Sequence, residues 1–94
     1  MQLTVRYATE EDAHAILAIT IEAFSKYADE LGNPGLVYAL NETTYDIMLD
    51  MERKHVLIAL IDGIAVGSIR FEVLGDVAYI SRFGVSTQYQ KFGA

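Results

Sequence analysis

The sequence has 94 residues, 52% of them hydrophobic and 21% charged, which allows one small globular domain whose core alone supplies little stability. Its formal charge of −6 excludes nucleic acid and anionic membranes as partners, because binding them takes a surplus of Lys and Arg, whereas an acidic surface suits a cationic amine. With no cysteine, disulfides, thiolate nucleophiles and thiolate metal sites are excluded as well.

Leu3-Thr4-Val5-Arg6-Tyr7 alternates apolar and polar residues and reads as a first strand. Thr9 follows as an N-cap, with Asp12 three residues on and Glu10 and Glu11 between, where the helix dipole favours acids. Ala13, Ile16, Leu17, Thr20, Ala23, Phe24, Tyr27 and Leu31 recur at helical steps, which predicts one amphipathic helix from about Glu10 to Leu31. Gly32-Asn33-Pro34-Gly35 ends it. A second helix is predicted from near Asn41 or Thr43, with Ile47, Met48 and Met51 inward and Arg53, Lys54 and His55 as cations near its C-terminal end.

Val56 to Ile61 is an almost unbroken apolar run and reads as a strand buried on both faces. Asp62-Gly63 is a type I′ hairpin signal, Ile64 to Leu74 the return strand, and Gly67 within it the mark of a bulge or a close backbone approach. Gly75-Asp76 makes the next turn and Val77 to Val85 a fourth strand. Ser86 to Ala94 is polar and loop-like. The fold class is therefore α+β: strand, helix, helix, then a three-strand antiparallel meander.

That order resembles the first half of the GNAT superfamily of acyl-CoA-dependent N-acetyltransferases, over the whole chain. The opening Val5-Arg6-Tyr7-Ala8-Thr9-Glu10-Glu11-Asp12 is similar to the family's strand and acid-rich helix start. Val85-Ser86-Thr87-Gln88-Tyr89-Gln90-Lys91-Phe92-Gly93-Ala94 resembles its pyrophosphate motif: Gln or Arg, two residues, Gly, one residue, Gly or Ala. Gln90 takes the first place, Gly93 the first glycine and Ala94 the spacer, one residue short of the last small position, and Thr87 stands where proline is common. The resemblance thus implies a single incomplete domain over 1–94. Main-chain N–H groups in such a loop form a nest for phosphate, to which Lys91 and Phe92 belong by position.

The resemblance implies acetyl-CoA as cosubstrate and an amine, on a small molecule or a peptide, as acceptor. It places Phe83, Gly84 and Val85 where the strand main chain pairs with pantetheine, and the Phe83 N–H where an oxyanion would form. Tyr79 falls where some members carry a glutamate base, and the loop after the first helix nominates Tyr27, Asp29, Glu30 and Tyr38 for the acceptor pocket. The residues themselves allow plainer readings. Tyr79 also reads as a packed strand aromatic, Asp29 and Glu30 as a solvated helix end, and Phe83 to Val85 as strand core. His14 and His55 have no partner at metal-ligand spacing. An uncovered sheet and an open fourth-strand edge predict a homodimer or larger assembly. The alternative function is a non-catalytic module that self-assembles through that sheet. With neither a membrane span nor a signal peptide in the sequence, a cytoplasmic setting is the expectation.

Overall fold

The computed structural model of the chain describes residues 2–31 and 41–86, without the side chains of 27–31. Strand β1, Leu3–Tyr7, leads into a single 3-10 turn, Glu10–Asp12, and then into helix α1, Ala13–Leu31. The predicted helix start is thus a tighter turn in its first three residues. The Asp12 carboxylate accepts from the Thr9 N–H at 2.8 Å and also from the Arg6 guanidinium at 2.7 and 3.1 Å, which fixes how the chain leaves β1. Helix α2, Thr44–Arg53, starts on the same device: Thr43 Oγ accepts from the Asp46 N–H, and the Asp46 carboxylate accepts from the Thr43 N–H.

Strands β2, His55–Ile61, β3, Ile64–Leu74, and β4, Val77–Val85, form the expected meander, and β1 adds antiparallel to the free side of β2. The four strands lie in the order β1-β2-β3-β4, so β4 is an edge. Asp62 and Gly63 both have positive φ, 51° and 83°, as a type I′ turn requires. Gly67 serves both expected purposes. The register slips beside it, where Leu60 pairs Ala65 while Ala59 pairs Gly67, and a Cβ on Gly67 would lie 3.3 Å from the Gly84 carbonyl oxygen.

Both helices cover one face of the sheet. Ala13, Ile16, Ile47, Val56 and Ile58 form the core, with Met48, Met51, Leu17 and Leu60 packed around them. Ile19, absent from the predicted stripe, is also buried, because α1 presses it toward β4 at Gly84. The apolar run of β2 departs from expectation. Val56 and Ile58 are buried under the helices, whereas Leu57, Ala59 and Ile61 are half-exposed on the other face, which no described element covers. Leu3, Val5, Tyr7, Ile80 and Phe83 share that open face by register.

Candidate functional site

Two features make β4 chemically distinct. The first is its edge. The Ser86 N–H donates to the Val66 carbonyl at 2.7 Å, so positions 66 and 86 form a hydrogen-bonded pair of the antiparallel ladder. Such pairs alternate, so Ser68 and Gly84, directly opposite, are also a bonded pair, and the intervening Phe83 directs its N–H and C=O away from β3. Phe83 therefore presents a main-chain donor and acceptor to the side of β4 that no described strand pairs.

The second feature is a bulge. Arg70 pairs Arg82 while Phe71 pairs Ile80, so Ser81 is an extra residue in β4. Ser81 and Arg82 consequently line the same cavity, about 320 Å³, together with Glu42 and the Asp46, Asp50 and Arg53 side of α2. Behind it lies Arg70, 1% exposed. Its guanidinium donates to both oxygens of Glu42 at 2.6 and 2.8 Å, to Asp50 at 3.1 Å and to the Thr20 hydroxyl at 3.3 Å. Thr20 in turn donates to the Ile16 carbonyl at 2.8 Å. Lys54 Nζ reaches Ser81 Oγ at 3.3 Å, and the Ser81 hydroxyl reaches the Arg70 carbonyl at 3.4 Å. The bulge is thus tied to the buried arginine by side chain and main chain.

No protein-family model matches the sequence, and no curated protein sequence matches it. Solved structures do. The PaiA N-acetyltransferase of Thermoplasma acidophilum, determined in complex with coenzyme A, superposes with a TM-score of 0.82 at 14% identity over 95% of this chain and 62% of that one. The ribosomal-protein-S18-alanine N-acetyltransferase of Escherichia coli gives 0.70 at 17% identity, over 98% of this chain and 51% of that one. An N-acetyltransferase from Staphylococcus aureus gives 0.64 at 21% identity, over 99% and 59%. The fold is that of the GNAT N-acetyltransferases. The chain spans between half and two-thirds of the length of these three GNAT structures.

On this GNAT fold, Phe83, Gly84 and Val85 lie at the edge of the sheet, in the last three positions of β4. Gly84 differs in role from its neighbours. Its main chain pairs inward with Ser68, and a Cβ there would meet Ala23 Cβ at 3.3 Å and Ile19 Cγ2 at 3.6 Å. Packing of α1 accounts for this glycine, and the bulge of β4 lies at Ser81. Tyr79 is 55% exposed and opposite Glu72, on the same face of the sheet as Arg70 and the opposite face from Phe83. It is not a packed core aromatic. Tyr27, Asp29 and Glu30 lie in the last turns of α1, with side chains outside the described set. Tyr38 and Gln90, Lys91, Phe92, Gly93 and Ala94 lie outside the described residues altogether.

Sequence reasoning missed the Arg70 cluster and the bulge. A signal for each was present. Arg70 sits at an inward position of an alternating strand, and the successive polar residues Ser81-Arg82 break the alternation of β4. Among the described residues no three His, Asp or Glu side chains gather around a metal-sized space, and no helix is long and apolar enough to cross a membrane.

Proposed function

We propose that the chain belongs to an acetyl-CoA-dependent N-acetyltransferase and forms the part that holds the thioester arm against β4. The supporting observation is the outward main chain of Phe83 next to a bulge, in a fold whose solved relative binds coenzyme A. A strand edge pairs with an amide-bearing pantetheine arm as it would with another strand. Acetyl-CoA supplies the activated acyl group: the thioester C–S bond breaks as the amine nitrogen forms the new C–N bond, and the proton lost by the amine goes to the thiolate.

The chain's own residues orient and stabilise. The Phe83 N–H donates to the thioester oxygen as negative charge develops there, and the Phe83 carbonyl and Val85 main chain hold the arm in line. Gln90 to Ala94 form the nest for the pyrophosphate, with Lys91 as an added charge. Tyr79 orients the amine or a water rather than acting as the base, and Tyr27, Asp29, Glu30 and Tyr38 wall the acceptor side. The test is a titration of the 15N-labelled chain with acetyl-CoA. Saturating shifts centred on the Phe83 amide support the reading, and no response there at millimolar ligand removes it.

For these 94 residues by themselves, a second copy is a partner that fits the sheet face no described element covers. Leu3, Val5, Tyr7, Ile80 and Phe83 are all more than half exposed, and the outward positions of the four strands carry no Asp, Glu, Lys or Arg. Two copies meeting there bring no like charges together despite the −6 of each chain. Four strands averaging about eight residues give a footprint of roughly 19 by 26 Å. That is on the order of half of the ~800 Å² each partner buries in a standard interface, which makes the dimer weak and concentration-dependent.

A further inference from the structure

We infer that the cavity between α2 and the β4 bulge recognises the carboxylate of an amino-acid acceptor, with the cations Arg53, Lys54 and Arg82 as its contacts. This rests on the acyl-transfer reading for what happens to the ligand, not for its binding. Three acids and three cations line the cavity, but their commitments differ. Glu42 has both oxygens on Arg70 at 2.6 and 2.8 Å, and Asp50 has one at 3.1 Å. Asp46 has one oxygen on the Thr43 N–H and hydroxyl at 2.9 and 3.1 Å. Each acid is already held.

The cations are held less fully: Lys54 and Arg82 each sit in long ion pairs of 3.7 to 3.9 Å and keep donors that make no hydrogen bond. Arg53 makes no hydrogen bond or ion pair among the described residues. Lys54 Nζ has one hydrogen bond, to Ser81, and its two carboxylates lie at 3.8 and 3.9 Å, beyond hydrogen-bond reach. Arg82 spends Nη1 on the Ser81 carbonyl, and its buried Nε has no hydrogen-bond partner, with Glu42 3.7 Å away. The unspent hydrogen-bonding capacity of the cavity is therefore cationic donors, which a planar carboxylate satisfies two at a time. A dianionic phosphate fits less well, because it brings twice the negative charge of a carboxylate into a cavity that already holds three carboxylates. The remaining oxygen of Asp46 faces an ammonium or amine without loss of its cap. A ligand carrying amine and carboxylate one carbon apart matches both signs, and Ser81 and Arg82 directly precede Phe83.

The test uses the 15N-labelled 94-residue chain without any coenzyme, titrated with L-alanine, with L-alaninamide and phosphate as separate arms at matched ionic strength. L-alanine is expected to produce saturating shifts at the Ser81, Arg82 and Lys54 amides. L-alaninamide, which keeps the amine and lacks the carboxylate, is expected to bind at least about fivefold more weakly. Arg53→Gln and Arg82→Gln are each expected to weaken alanine by about three- to fivefold, and Arg53, being exposed, can be replaced without disturbing the fold. Equal response to alanine and alaninamide overturns the inference, as does tighter saturation by phosphate, or unchanged affinity in R53Q. Because no thioester is present, failure here leaves the Phe83 response to acetyl-CoA standing, and the reverse holds.

Discussion

Asp12 joins strand exit to helix start through one carboxylate. Its hydrogen bonds from Arg6 hold it at a pKa of about 2, below the ordinary 3.8, against an opposing push from burial, with the Thr9 hydrogen bonds and the Arg6 charge adding lesser downward contributions. A folded-state pKa lowered in this way gives stability that is present above about pH 4 and is lost as the pH falls through 2. Arg6 is well exposed and solvent screens the pair, so Asp12→Ala is expected to cost only about 1 kcal/mol at pH 7. In urea unfolding the gap between the two proteins should close between pH 4 and pH 2, and a gap independent of pH would remove the ion pair from the account. Gly84 carries a different constraint, since α1 leaves little room there for anything beyond a methyl group. Gly84→Ala should be borne by a small shift of Ala23, whereas Gly84→Val should cost roughly 1–3 kcal/mol through overpacking. Equal thermal stability of the alanine and valine variants would show that α1 and β4 are not tightly packed. At this scale the sequence was a good guide wherever a residue acts on near neighbours. Thr9 with Asp12 was readable because the cap and its partner lie three residues apart, and the same spacing from Thr43 to Asp46, which the sequence alone offers only as a possible helix start, carries the cap of α2. The reason for Gly84 was not readable, because its cause lies on α1.

The elements themselves were legible, because each is bounded by local chemistry. Asp62-Gly63 and Gly75-Asp76 set the two hairpins, and β3 and β4 begin and end where the alternation and the turns place them. What ties those elements together was not legible. Arg70 on β3 meets Glu42, which precedes α2 by two residues, along with Asp50 on α2 and Thr20 on α1, so one side chain clamps both helices to the sheet across separations of 20 to 50 residues. No local pattern encodes such a meeting; burial of an arginine is affordable only because four donor contacts are answered at once. Arg70→Met leaves Glu42, 8% exposed, without its hydrogen-bonded partner and with only the longer Arg82 contact at 3.7 Å, and is expected to cost about 3 kcal/mol. Adding Glu42→Gln to that variant should recover at least about 1 kcal/mol relative to the sum of the two single changes. Strict additivity would mean that the two side chains do not share their burial. The cycle is read by urea unfolding, and the Arg82 amide shift reports in parallel whether the bulge keeps its place.

Seen as a whole, the described chain is a sheet with one dressed face and one bare one. The helices bury Val56 and Ile58, and the same strand exposes Leu57, Ala59 and Ile61 on its other side. The continuous apolar run of β2 reads as burial on both faces, whereas the described residues bury only the helix side. The same holds for the candidate site. The edge main chain at Phe83 follows from the strand and its register, whereas the cavity beside it depends on which side chains α2 and the bulge bring together. A bare face without charges is costly to leave in water and cheap to pair with itself. If a second copy covers it, the apparent mass of the 94-residue chain in light scattering should rise with concentration across the micromolar range. Lysines at Val5 and Ile80, 57% and 62% exposed near opposite edges of that face, would place four like charges in the joint, two from each copy. The double variant V5K/I80K is therefore expected to remain monomeric at about 100 µM. Its unfolding free energy per monomer should stay within about 0.5 kcal/mol per site, since neither side chain contributes to the helix-covered core. Association that survives both lysines would move the contact to the β4 edge, and a parent chain already monomeric at that concentration would leave the bare face without this partner.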